Sequence, residues 1–241
     1  GGRSDKPTSL AVVSLQDGMP SYGFYRNDTA ERQVTSRFLD AVIPKDVILF
    51  HVGSLGLIEG EDATAWEDKF VDWHHSGRLT SLDPNVRPSL ISDAGGYRRR
   101  ICSMMGSTDI LKLSDEDLLW LYPGHDFEAA CLACFADSKA ALTVITKGAD
   151  GVVTNSGAQT IVLPAFPARK FVDTVGAGAT FMASLLVWML EQGVTRRKDF
   201  ENLTQNQLEN ALKRAAIAAA LNCEKQGCQP PGGKDIERLI D

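Results

Sequence analysis

Ile110-Leu111-Lys112-Leu113-Ser114-Asp115-Glu116-Asp117 joins a short apolar run to a serine and an acidic first turn. Ile110 to Leu113 predicts a strand. Ser114 is a natural helix N-cap, and Asp117 three residues on completes the capping pattern for a helix over Asp115–Leu121. A strand running straight into a capped helix is the repeating unit of an α/β fold, and the pattern recurs on both sides. Upstream, Val47 to Val52 and Leu79 to Asp83 predict strands, and Asp62 to His75 and Ala94 to Met105 predict helices. Downstream lie a helix over Asp126–Ala136 and a strand over Leu142–Thr146. The alternation implies a mostly parallel central sheet flanked by helices on both faces.

Two hairpins break the rhythm. Leu10 to Leu15 and Tyr22 to Tyr25 are β-prone runs around the turn dipeptide Asp17-Gly18. Val152-Val153-Thr154 and Thr160 to Leu163 flank Asn155-Ser156-Gly157. A helix from about Ala177 to Gln192, a second over Gln205–Lys225 and a short one after Gly232-Gly233 close the chain. Gly1 to Lys6 reads as a disordered or expression-derived lead-in.

The 241 residues suffice for one sizeable core, and 44% hydrophobic with 23% charged is the composition of a globular protein. Apolar stretches such as Ala140 to Ile145 are too short for a membrane span. A net charge of −6 opposes general nucleic-acid binding, and Arg98-Arg99-Arg100 reads as a solvated helix face. Cys102, Cys131, Cys134, Cys223 and Cys228 are expected to be free thiols in a cytoplasmic protein. Cys131 and Cys134 lie in a helical pattern, as two small helix residues rather than a metal or redox pair.

Chemistry concentrates in Asp173-Thr174-Val175-Gly176-Ala177-Gly178-Ala179-Thr180. Two glycines open a helix whose first turn offers unpaired N–H groups, and the helix dipole favours an anion there. Such a device suits phosphoryl transfer. A Gly-x-Gly ahead of a helix also serves as a packing turn.

Asp173 to Gly178 matches, residue for residue, the Asp-Thr-x-Gly-Ala-Gly-Asp signature of the PfkB (ribokinase-type) sugar kinases, and the chain resembles bacterial-type fructokinases within that family. The resemblance implies a ribokinase-like fold in which Gly176, Ala177 and Gly178 form the anion hole. The family's general-base aspartate falls at Ala179, which cannot accept a proton. Lys112 to Asp117 is similar to the Asn-x-x-Glu segment, putting Ser114 near the nucleotide and Asp117 near Mg²⁺; the same residues are also a plain helix cap. Thr146-Lys147-Gly148-Ala149-Asp150-Gly151 resembles the Thr-x-Gly-x-x-Gly turn, implying nucleotide contacts at Lys147, Gly148, Asp150 and Gly151, and equally reads as a generic turn into a hairpin. Ala219 to Cys228 resembles the helix bordering the adenine pocket, with Asn222 in it; an alanine-rich packing helix would look the same.

Phe24 to Arg32 is similar to the Phe-Tyr…Thr-Ala-x-Arg segment of fructokinases, and Asp83-Pro84-Asn85-Val86-Arg87-Pro88 to an Asp-x-Asn-x-Arg strand end. These imply substrate contacts at Tyr25, Arg32, Asn85 and Arg87, with Asp173 joining them. Residues 9–34 are then a lid hairpin with a sugar-facing segment, and 35–241 an α/β nucleotide-binding core. The resemblance runs from Ser9 to Pro231. It lacks the family's opening strand and its Gly-Gly-x-x-x-Asn sugar segment, so the N-terminal strands are expected to lie outside these residues. ATP, Mg²⁺ and a small sugar are the implied ligands, and a homodimer through the lid hairpin the implied assembly. Three functions stay open: a fructokinase-type sugar kinase, a nucleotide-binding pseudokinase or inactivated mutant, and a 2-keto-3-deoxygluconate kinase.

Overall fold

A computed structural model describes residues 3–16, 19–157 and 159–240. Strands β1 (Leu10–Gln16) and β2 (Met19–Tyr25) pair antiparallel as a separate two-stranded sheet. Their expected turn at Asp17-Gly18 lies outside the described residues. Helix α1 (Ser36–Val42) leads to the main sheet of β3 (Leu49–Gly53), β4 (Leu79–Asp83), β5 (Ile110–Ser114), β6 (Leu142–Thr146), β7 (Val152–Asn155) and β8 (Thr160–Leu163). The spatial order is the chain order, parallel from β3 to β6 and antiparallel from β6 to β8.

That order decides where the helices go. Parallel crossovers share one hand, so successive steps in one direction put every connecting helix on one face. Helices α2 (Glu61–His75), α3 (Ala94–Met105), α4 (Asp115–Leu121) and α5 (Phe127–Asp137) are these connections. They pack Phe70, Ile101, Met104 and Leu118 on Phe50, Leu82, Leu111 and Ile145. The opposite face is left for α6 (Ala177–Glu191) and α7 (Gln205–Cys223), whose Phe181, Leu185 and Leu212 cover Leu79, Ile110 and Val144. Residues alternate between the faces along each strand, and in β4 all five are buried. Truncating such a leucine to alanine costs about 2–5 kcal/mol. A short α8 (Gly233–Glu237) ends the fold. Among the described residues no helix is long and apolar enough to cross a membrane.

Four local expectations change. Strand β3 begins at Leu49 rather than Val47, because the Val47 amide bonds Pro44 in a turn and Ile48 points outward. The lead-in is laid along the turn at residues 28–33: Ser4 donates to Gln33, Lys6 pairs with Asp28, and the Ala30 amide bonds Pro7. Helix α1 had no counterpart in the sequence reading; Thr35 Oγ1 caps it by accepting the Phe38 amide. Arg98-Arg99-Arg100 is not a uniformly solvated face. Arg98 donates to the Trp120 carbonyl and stacks on its ring, while Arg100 ties α3 to Glu67 and the Leu57 carbonyl on the neighbouring segment. Only Arg99 of the three is exposed.

Candidate active site

The C-terminal ends of β4, β5 and β6 converge with the N-terminus of α6, where an open α/β sheet holds its ligands. Gly176 is the N-cap of α6 in left-handed backbone, at φ +79°. A Cβ there would stand 2.4 Å from Cys228 Sγ, so the turn has neither the conformation nor the room for a side chain. The Ala177 amide bonds the Thr174 carbonyl and the Thr180 amide bonds that of Gly176. The amides of Gly178 and Ala179 between them have no acceptor among the described residues.

A polar knot fixes this loop. The fully buried Asp173 carboxylate accepts the Val175 amide at 2.8 Å and the Gly227 amide at 2.9 Å. Asn222, equally buried, donates to the Val175 carbonyl at 2.7 Å and accepts the Gln229 amide at 2.9 Å. Buried polar groups need such partners. Both residues were expected to meet ligands. In the structure their polar atoms hold the loop.

Below the loop lies a pair that the sequence reading quoted without assigning. Lys112 Nζ sits 3.1 Å and 3.4 Å from the two carboxylate oxygens of Asp83, and both side chains are buried. Lys112 Nζ is also 3.1 Å from where a Cβ on Gly178 would be, so a buried ammonium lies beside Gly178 in the first turn of α6. The signal was present: a lysine in the middle of an apolar strand run must face a partner.

Ser114 Oγ accepts the Asp117 amide, and Asp117 Oδ2 accepts the Ser114 amide, closing a capping box. Asp117 Oδ1 accepts the Val86 amide at 2.7 Å, stapling the loop after β4 to the start of α4. Each Asp117 oxygen thus holds one backbone amide, and the carboxylate keeps its remaining lone pairs. No group of three or more His, Cys, Asp or Glu side chains among the described residues is arranged to hold a metal. Tyr97 backs the same loop. Burial, then the charges of Asp117 and Asp83, push its phenol well above the usual range, so it stays a proton donor.

The expected substrate residues separate. Asn85 adopts φ +43°, and its side-chain oxygen accepts Arg87 Nη1 at 2.7 Å. The Arg87 guanidinium lies 5.3 Å from the centroid of the Tyr22 ring, which stacks on Phe24. The hairpin therefore meets Arg87 through Tyr22, which the sequence marks only as the start of a strand; Tyr25 is on the alternate face and 65% exposed. Arg32 is engaged elsewhere, with Asp62 at 3.0 Å and the Glu59 carbonyl at 2.8 Å. On the β6 side, Lys147 Nζ stands over the Phe127 ring at 4.6 Å, and Gly148 and Asp150 are exposed. Gly151, at φ +93°, passes so close to the Leu163 carbonyl that no side chain fits.

A glycine-cradled helix terminus over a buried cation, on an α/β sheet of this order, has the form of a phosphate-handling enzyme, and the chain belongs to the pfkB family of carbohydrate kinases. The pattern of the pfkB family carbohydrate kinase matches residues 3–234, beginning earlier than the Ser9 expected from the motifs. The chain is 34% identical over 207 residues to a fructokinase of Rhizobium leguminosarum bv. trifolii, a match covering 85% of this chain and 62% of that protein. It is 28% identical over 233 residues to fructokinase-1 of Oryza sativa subsp. japonica, covering 96% and 70%. Among solved structures, fructokinase with bound ATP from Xylella fastidiosa superposes with a TM-score of 0.86 at 25% identity, over 99% of this chain and 74% of that one. The fold is shared as well with a fructokinase from Vibrio cholerae O395, at a TM-score of 0.84 and 23% identity, covering 99% and 75%.

Proposed function

We propose that this chain carries the nucleotide-binding and phosphoryl-transfer half of an ATP-dependent sugar kinase of fructokinase type, acting in the cytoplasm. One observation carries the reading: at the start of α6 the Gly178 and Ala179 amides have no acceptor among the described residues, and the Lys112 ammonium lies beside Gly178. Charge developing on a transferred phosphate is stabilised by donors already in place, and the dipole of α6 and the lysine add to that field. The turn of Lys147, Gly148 and Asp150, the last two exposed, lies at the end of β6, beside Ser114 on β5, and suits the nucleotide. Arg87, held by Asn85, faces the sugar, with the hairpin of β1 and β2 as lid through Tyr22. ATP reaches the site with Mg²⁺ on its own phosphates. Asp117 serves the chain as a clamp.

Ala179 supports a second reading, a nucleotide-binding pseudokinase. Its side chain is exposed where the acceptor hydroxyl would arrive and has no proton acceptor to offer. A general base contributes about 10²–10⁴-fold to such a rate. Ala179→Asp, with any preceding segment of the protein included, is therefore expected to raise fructose-dependent ADP release by about that factor. If Ala179→Asp binds ATP but turns over no ketohexose, the sugar-kinase reading fails and the pseudokinase reading stands.

A further inference from the structure

At the other end of the strands, the turn between α2 and β4 faces the segment between α6 and α7 across a cleft of 610 Å³. Ser76, Gly77, Arg78, Arg196, Arg197 and Lys198 line it. Four of the six are cations and none is acidic, in a chain whose net charge is −6. Strands β4 and β5 separate this cleft from Asp83 and Ser114 by roughly 17 Å at the usual rise per residue, so it is no part of the candidate active site.

Two of the cations are fixed. Arg78 donates to the Lys45 carbonyl at 3.1 Å and lies over the Trp73 ring at 4.4 Å from its centroid. Arg197 donates to the buried Asp109 at 3.0 Å and to the Lys139 carbonyl, with its side chain still half exposed. Asp109 is committed on its other oxygen to the amide and hydroxyl of Thr80. The carboxylate nearest in sequence, Asp199, is turned onto the Thr195 and Arg196 amides. The side chains of Arg196 and Lys198 are exposed and have no acceptor among the described residues. Arg197 also donates to the Thr108 carbonyl, so its charge is balanced by Asp109 and its exposed edge adds donors beside Arg78, Arg196 and Lys198, which carry the unpaired charge of the cleft. The planar forks match phosphate oxygens better than a single carboxylate.

We infer that this cleft is a second ligand site, one that binds the phosphate group of a small phosphorylated metabolite. A small ligand fits better than a nucleic acid, because the cations converge on one cleft and the rest of the molecule is acidic.

Inorganic pyrophosphate is the probe, and Trp73 beneath Arg78 is the reporter. Titration of the intact chain is expected to give a saturable change in tryptophan emission. The Arg196→Ser/Lys198→Ser variant, altered only at exposed positions, is expected to weaken that binding about tenfold or more, the effect of removing charge-assisted hydrogen bonds. Trp73→Phe should abolish the optical signal and leave the calorimetric binding heat. Matching isotherms for the parent and the double variant would overturn the inference. So would an equal response to citrate at the same ionic strength, the mark of a loose counterion patch. Binding of heparin but not of pyrophosphate would overturn it too, in favour of a macromolecular polyanion.

Discussion

Gly176 carries two constraints that can be measured apart. Its left-handed backbone costs an L side chain about 1–2 kcal/mol, and Cys228 Sγ occupies the space a Cβ would need. Gly176→Ala should thus destabilise the chain by more than the backbone cost alone, read as a shift in the urea midpoint. Adding Cys228→Gly should recover the steric part and leave the backbone part. Full recovery by the second change would mean that the left-handed turn is unstrained. At this scale the sequence marked out the residues of the loop but not the partners that hold them. Asp173 and Asn222 stand in stretches that resemble ligand-binding segments, and in the structure both knot the loop together. A polar side chain that shapes a binding loop and one that touches the ligand leave the same mark in a sequence. Asp173 and Asn222 are fully buried, which no local pattern records, whereas Ala179 is exposed.

Among the elements, the junction of β5 and α4 does most to order the site. Asp117 closes the α4 cap and holds the Val86 amide on the loop that carries Asn85 and Arg87. Asp117→Ala should cost about 2–4 kcal/mol, the sum of a lost cap and a buried amide left unpaired. An unmoved urea midpoint would contradict this, and an altered Mg²⁺ dependence of nucleotide binding beside the loss would show that Asp117 also acts on the metal. Strands β4, β5 and β6 and helices α2 to α5 were legible because apolar runs and capping residues announce them. The start of β3 was not, since the turn from Pro44 takes the Val47 amide that a longer strand would have used. Helix α1 has a single buried residue, Leu39, and so carries almost no periodic signal. The meeting of Tyr22 with Arg87 joins segments far apart in the chain, which no local pattern records.

For the molecule as a whole, buried thiols set its tolerance of alkali. Burial pushes Cys134 up to about 12, and it also raises Cys131 and Cys223. An unfolded thiol ionises near pH 8.5–9, so above that range deprotonation favours the unfolded chain. Stability should be level through neutral pH. It should then fall from about pH 9 towards 12, by about 1.4 kcal/mol per pH unit for each thiol kept protonated by the fold. Urea midpoints that rise between pH 8 and 10 would contradict this. The class of fold and the family were legible in the sequence alone. The sheet order, the Lys112–Asp83 pair beside the start of α6 and the basic cleft at the far end came only from the three-dimensional arrangement. The claim joining these scales is that the start of α6 is a working nucleotide-phosphate site even though Ala179 offers no base. Calorimetric titration of ATP–Mg²⁺ into the chain and into Gly178→Val tests it most directly, because a valine there fills the space between the amides and Lys112. One molecule of ATP should bind the parent chain, with affinity reduced about tenfold or more in Gly178→Val, a loss of at least about 1.4 kcal/mol; no binding to the parent, or equal binding to both, would contradict the account.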